Sequence, residues 1–118
     1  GIYDKFLEQF MEQALAIKVG DPCAAETYQG SQVSKTQFDV QLCMGYIESG
    51  KADGATVHVG GNRIGNEGYF IQPTIFTECQ PDMKIVREEI FGPVACVLKF
   101  KTEEGMCSFS PTLAVRAV

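Results

Sequence analysis

The residues with the most chemical promise lie together in Glu88-Glu89-Ile90-Phe91-Gly92-Pro93-Val94. Two acids precede an apolar pair and a Gly-Pro turn, and the apolar run Val94-Ala95-Cys96-Val97-Leu98 follows. Core packing gives no reason for a carboxylate two residues before a Phe at the mouth of a buried strand. A polar ligand stacked against a ring does. A carboxylate accepts hydrogen bonds from two hydroxyls at once, and an aromatic ring offers a broad apolar contact. On residue type alone the plainer readings hold, with Glu89 an exposed loop acid and Phe91 a core ring. Gly92 and Pro93 read as backbone devices that set the turn.

Other reactive residue types are less suggestive. His58 is the only histidine. It sits on a short strand with no Ser or Cys partner in pattern, and it reads as an ordinary residue, not a base. Gly60-Gly61-Asn62-Arg63-Ile64-Gly65 lacks the Gly-x-Gly-x-x-Gly spacing and a following helix, so it reads as a loop. Ser34-Lys35-Thr36-Gln37 fits a capping box, with a hydroxyl at the cap and an amide three residues later. The five cysteines are Cys23, Cys43, Cys79, Cys96 and Cys107. Their number is odd, their spacing wide, and no C-x-x-C pair occurs. Neither a disulfide framework nor a zinc site is expected, and no metal ligands are assigned. Reduced thiols in an intracellular protein are the plain reading, several of them buried as small hydrophobes. Cys96 alternates with Val94 and Leu98 and reads as core.

The elements that must position these groups follow from periodicity. Tyr3, Phe6, Leu7, Phe10, Met11, Ala14 and Ile17 recur at helical spacing, which predicts an amphipathic helix over 3–18 that Gly20 ends. A polar loop follows Asp21-Pro22. A second helix is expected from Ser34 to Gly50, carrying Phe38, Leu42, Met44 and Ile47. After Gly54 the pattern changes to short strands at 56–59, 69–71 and 74–76, with Pro73 marking an edge or break. A helical turn is expected within 83–89. The run 94–100 is nearly all apolar, as in a strand buried on both faces. Helices followed by strands give an α/β architecture.

Composition excludes several functions. The chain has 118 residues, 45% hydrophobic and 21% charged, as in an ordinary globular domain or a piece of one. A net charge of −5, from ten basic and fifteen acidic residues, leaves no basic stripe to neutralise phosphates, so nucleic acid is not an expected partner. No apolar run approaches the ~20 residues that span a bilayer, and no secretory signal is visible at the start, so no membrane partner is expected.

Several stretches together resemble the NAD(P)-dependent aldehyde dehydrogenases, with a fungal flavour. Ile2-Tyr3-Asp4 with Phe6, Gly20-Asp21-Pro22, Gln29-Gly30 with Gln32-Val33, Gly50-Lys51, Gly54-Ala55 and Gly60-Gly61 fit in order. Gly68-Tyr69-Phe70-Ile71-Gln72-Pro73-Thr74-Ile75-Phe76 and Met83-Lys84-Ile85-Val86 leading into the Glu88 to Val94 motif are closer matches. The resemblance implies an α/β fragment of the catalytic domain, two helices followed by strands of a mainly parallel sheet, over residues 1–101. Family members use a cysteine thiolate that forms a thiohemiacetal, and a glutamate that activates water. The resemblance places both before residue 1, and none of the five cysteines has the family's Gly-Gln-x-Cys setting. No catalytic residue is assigned here, and the isolated chain is expected to be inactive.

By the same resemblance, Glu89 holds the ribose hydroxyls next to the nicotinamide, Phe91 packs near that ring, and Gln37 is a further ribose contact or, alternatively, the capping-box amide. The implied cofactor is NAD or NADP and the implied substrate a small aldehyde, with a semialdehyde as one variant. The parent is expected to be a homodimer or homotetramer, cytoplasmic or mitochondrial. A non-catalytic binding or structural module on the same scaffold is the alternative. Two departures stand out. The segment Val40-Gln41-Leu42-Cys43-Met44 is about two residues longer than the pattern, a rotation of about 200° on a helix. Residues 102–118 diverge where the family continues into a helix, since Gly105 and Pro111 both oppose one. A shifted reading frame or readthrough accounts for such a tail.

Overall fold

The computed structural model describes residues 1–39, 43–102 and 105. Its elements run α1 (Ile2–Ala16), α2 (Lys35–Phe38), α3 (Cys43–Ala52), β1 (Thr56–Val59), β2 (Thr74–Thr77), α4 (Lys84–Arg87) and β3 (Val94–Cys96). The strands form one sheet in the order β1-β2-β3. β1 pairs antiparallel with β2, and β2 pairs parallel with β3. The α/β class is as the sequence predicts, while the described sheet is mixed, with one pairing of each sense. The connections explain this. The chain returns from β1 to β2 through the 60–73 loop with no helix in it, whereas it crosses over through α4 before β3, and a parallel partner needs such a crossover.

The sheet is covered on both faces. Ala14, Leu7, Phe10 and Met11 of α1 pack against Val59, Ile75 and Val97. On the opposite face Cys43 and Ile47 of α3 and Ile85 of α4 pack against Val57, Phe76, Val94 and Cys96. Val57 and Val59 are two apart yet serve opposite faces. The register shift between them supplies the extra step. β2 is the central strand and is buried at all four positions. The expectation of a doubly buried strand over 94–100 is corrected here: β3 spans three residues, all half-buried. Among the described residues it has a partner on one side only. The pairing fades after the bond from Val97 N–H to the Phe76 carbonyl (2.8 Å).

Other boundaries also yield to long-range pairing. α1 stops before Lys18 because that carbonyl accepts from Tyr28 (2.9 Å) and Gln29 (3.2 Å), which draws 18–20 into an extended bridge. Residues 69–71 make one bridge, Ile71 to Arg63, not a strand. The expected single helix over 34–50 is two helices, α2 and α3. The long segment beginning at Val40 lies outside the described residues up to Leu42, as does the 102–118 tail apart from Thr102 and Gly105. The Gly60-Gly61 loop is structural, as expected. Gly60 has φ +72, and a Cβ there would overlap the Pro73 carbonyl. Gly61 N–H donates to Thr74 Oγ1 (2.9 Å). No helix is long and apolar enough to cross a membrane among the described residues.

Candidate functional site

The 88–93 loop leaves α4, turns at Gly92-Pro93 and enters β3. Its end is fixed to the central strand, because Thr74 N–H donates to the Pro93 carbonyl (2.8 Å). Val94 N–H donates to the Gly92 carbonyl (2.8 Å) and Gly92 N–H to that of Ile90 (3.0 Å). These bonds leave little freedom in the backbone between the two candidate side chains.

The side chains divide sharply. Glu88 is committed, since its carboxylate accepts from the Tyr46 hydroxyl (2.7 Å). The Lys84 ammonium lies 4.9 Å from the Tyr46 ring centroid. Glu89 is exposed and has no hydrogen-bond or ion-pair partner among the described residues. Ile90 turns inward to the core. Phe91 is 76% exposed, unusual for a large ring on an ordered loop. The acid and the ring named by the sequence are thus the two members of the motif that the fold does not use for its own packing.

Gln37 reaches the same loop. Ser34 Oγ accepts from Gln37 N–H (3.2 Å), which is half of a capping box. The Gln37 amide does not complete it. It donates instead to the Phe91 carbonyl, with Cys43 Sγ at 3.6 Å. So the structure brings Gln37 and Phe91 together, through Gln37's side chain and Phe91's backbone, with Glu89 two residues away.

Cys43 is the participant that periodicity missed. At the first position of α3 it reads as core, and it is buried. Its thiol also lies 3.4 Å from the Phe91 carbonyl and 3.8 Å from Gln32 Oε1. Burial pushes the Cys43 thiol up from its ordinary value, while the hydrogen bond from Gln37 pulls the other way. A Cβ at Gly92 would overlap Cys43 Sγ, so glycine there permits close contact between loop and helix. No local sequence signal marks this pair, because 48 residues separate Cys43 from Phe91. His58 is exposed on β1, away from this loop. No cluster of three or more His, Cys, Asp or Glu suited to a metal ion occurs among the described residues.

Fold and loop together define an α/β domain that presents an acid and a ring from a braced loop. The chain belongs to the aldehyde dehydrogenase family, whose sequence profile matches residues 1–110. It is 65% identical to an aldehyde dehydrogenase of Agaricus bisporus over 101 residues, 86% of this chain and 20% of that protein. It is 62% identical to one of Aspergillus niger over 104 residues, 88% of this chain and 20% of that protein. The fold superposes on an aldehyde dehydrogenase from Bacillus cereus solved as an NAD+ complex. The TM-score is 0.83 at 39% identity, covering 92% of this chain and 22% of the other. The chain thus spans about a fifth of the length of these relatives.

Proposed function

We propose that this chain is the part of an aldehyde-oxidising enzyme that holds the nicotinamide side of an NAD(P) cofactor, and that the whole protein converts an aldehyde to a carboxylic acid. The observation that carries the reading is the exposure of Glu89 and Phe91 on a loop whose backbone is tied down from several sides. Two carboxylate oxygens match a vicinal diol such as a ribose edge, and an exposed ring beside them suits a flat heteroaromatic. Family membership and an NAD+-bound relative support the same assignment. The bound cofactor would supply hydride acceptance. What these residues contribute is orientation: Glu89 fixes the sugar, Phe91 limits the tilt of the ring, and Gln37 with Cys43 holds the Phe91 carbonyl. In this reading Gln37 acts through the loop and not on the sugar. No residue of this chain is assigned as nucleophile or base, so the isolated 118 residues are inactive. The whole protein is a homodimer or homotetramer in the cytoplasm, or in mitochondria.

Steady-state kinetics on the whole enzyme tests this. Glu89→Gln keeps the shape and removes the charge. A rise in KM for the dinucleotide with KM for the aldehyde unchanged is expected. Unchanged kinetics for both Glu89→Gln and Phe91→Ala would sink the assignment.

A further inference from the structure

A different kind of reactivity lies at the opposite end of α3 from Cys43. The chain has five aspartates, and the residues after them are Lys5, Pro22, Val40, Gly54 and Met83. Its two asparagines precede Arg63 and Glu67. Asp53-Gly54 is thus the one place where an Asp or Asn side chain meets a following amide with no β-carbon to hinder it. The fold puts this pair on the outside, and both residues are exposed just past the last residue of α3. Ala55 N–H donates to the Gly50 carbonyl (3.0 Å) and Gly54 N–H to that of Lys51 (3.2 Å), which together close the helix as a Schellman motif. Gly54 has φ +92, and a Cβ there would meet nothing within 4 Å. The Asp53 carboxylate accepts a long hydrogen bond from Ser49 Oγ (3.4 Å) and makes no ion pair among the described residues.

We propose that Asp53-Gly54 is a modification site, which rearranges to an isoaspartyl bond and then serves as substrate for a carboxyl methyltransferase that uses S-adenosylmethionine. The Gly54 nitrogen attacks the side-chain carboxyl carbon of Asp53. A new C–N bond closes a five-membered succinimide, the C–OH bond breaks, and one water leaves with the amide proton. The step needs Gly54 N–H released from Lys51. That bond is the longer of the two that close the turn, and it sits at a helix end, where fraying starts. Water then adds to the former backbone carbonyl of Asp53, and the bond from that carbon to the Gly54 nitrogen breaks. The chain now runs through the side-chain carbons, one methylene longer, and a free carboxylate stands on the α-carbon. The longer backbone no longer fits the Schellman spacing. Ala55, which shares a core cluster with Ile47 and Phe76, is the next residue to lose its place. The methyltransferase moves a methyl group from the sulfonium of its cofactor to the new carboxylate oxygen. The ester recloses to the succinimide as methanol leaves, and hydrolysis at the other carbonyl returns Asp53.

The test ages the full-length natural protein in neutral buffer, then adds purified isoaspartyl methyltransferase and S-adenosylmethionine with a labelled methyl group. One portion is labelled intact, and another is first cut with trypsin, which releases the site in peptide 52–63. Label on 52–63 should grow with age and exceed that on every other peptide. Electron-transfer fragmentation should place the isoaspartyl bond between residues 53 and 54. The rate should lie within about tenfold of that in free synthetic peptide 52–63, the factor for releasing one backbone hydrogen bond. In Asp53→Glu the label should vanish, because the longer side chain would have to close a six-membered ring. A rate slower than that range overturns the proposal, since the fold then shields the turn. So does label that falls mainly on other peptides, or that stays on 52–63 in Asp53→Glu. An aged intact protein that takes no label overturns the methyltransferase step and the proposal with it. If Asp53→Glu does not fold, fragmentation of the natural peptide decides the position alone.

Discussion

Glu89 and Glu88 are adjacent and of the same type, yet the fold treats them differently. One carboxylate is spent on Tyr46 and the other is left facing solvent. A hydrogen bond to a charged group is worth about 1.5–3 kcal/mol. Glu89→Gln should therefore lower kcat/KM for the dinucleotide about ten- to a hundredfold in the whole enzyme. Glu88→Gln should leave it near the natural value while costing some stability. Gln37→Ala removes the donor to the Phe91 carbonyl, and a loss of about 1 kcal/mol in urea unfolding is expected. Cys43 gives a pH signature. Burial keeps its thiol protonated where an unfolded chain would ionise. Its contribution to stability is full below the unfolded thiol range, about pH 8.5, and is lost as pH rises through the higher folded value. The urea midpoint should fall on the alkaline side, and Cys43→Ala should flatten that slope.

Among the elements, two glycines carry the closest contacts. Gly60→Ala meets both a left-handed backbone and the Pro73 carbonyl, and a loss of about 2–4 kcal/mol is expected. Gly92→Ala meets only the Cys43 sulfur. It should cost about 1–3 kcal/mol, and much of that loss should vanish in the Cys43→Ala background. A double-mutant cycle in urea measures the coupling. The same distinction explains what was legible in the sequence. α1, β1, β2 and the turn at α4 followed from periodicity, and the motif pointed to Glu89 and Phe91. The short β3, the early end of α1 and the bracing by Cys43 did not. Each depends on a partner far along the chain: Phe76 for Val97, Tyr28 for Lys18, Phe91 for Cys43. Local patterns carry no record of such pairings. An apolar run such as 94–100 reports only that something packs there, not that one edge of the strand faces away from the sheet.

At the scale of the whole molecule, the apolar surface is generous for so small a body. Ile2, Leu15, Tyr28 and Val33 are each at least 70% exposed, and β3 leaves one edge without a described partner. Such surfaces invite association. The isolated 118-residue chain should show a broad calorimetric transition and self-association, with no aldehyde-dependent NADH formation. A sharp transition at low concentration would favour the non-catalytic module instead. The expected change of reading frame in 102–118 is tested on the coding DNA: a one- or two-base shift near Gly105 should restore family-like sequence, and the idea fails if it does not. The bond between Gln37 and the Phe91 carbonyl has a consequence for assembly. Its partners are 54 residues apart, a long loop to close in one step. Two other bonds shorten the path, Gln32 to Tyr69 and Thr74 to Pro93. Once both exist, the ends already lie side by side and the last closure costs little entropy. The ligand-facing loop is therefore expected to set late, after the sheet. A chain released early from its ribosome would then hold a formed sheet while the loop beside it still lacked its final shape.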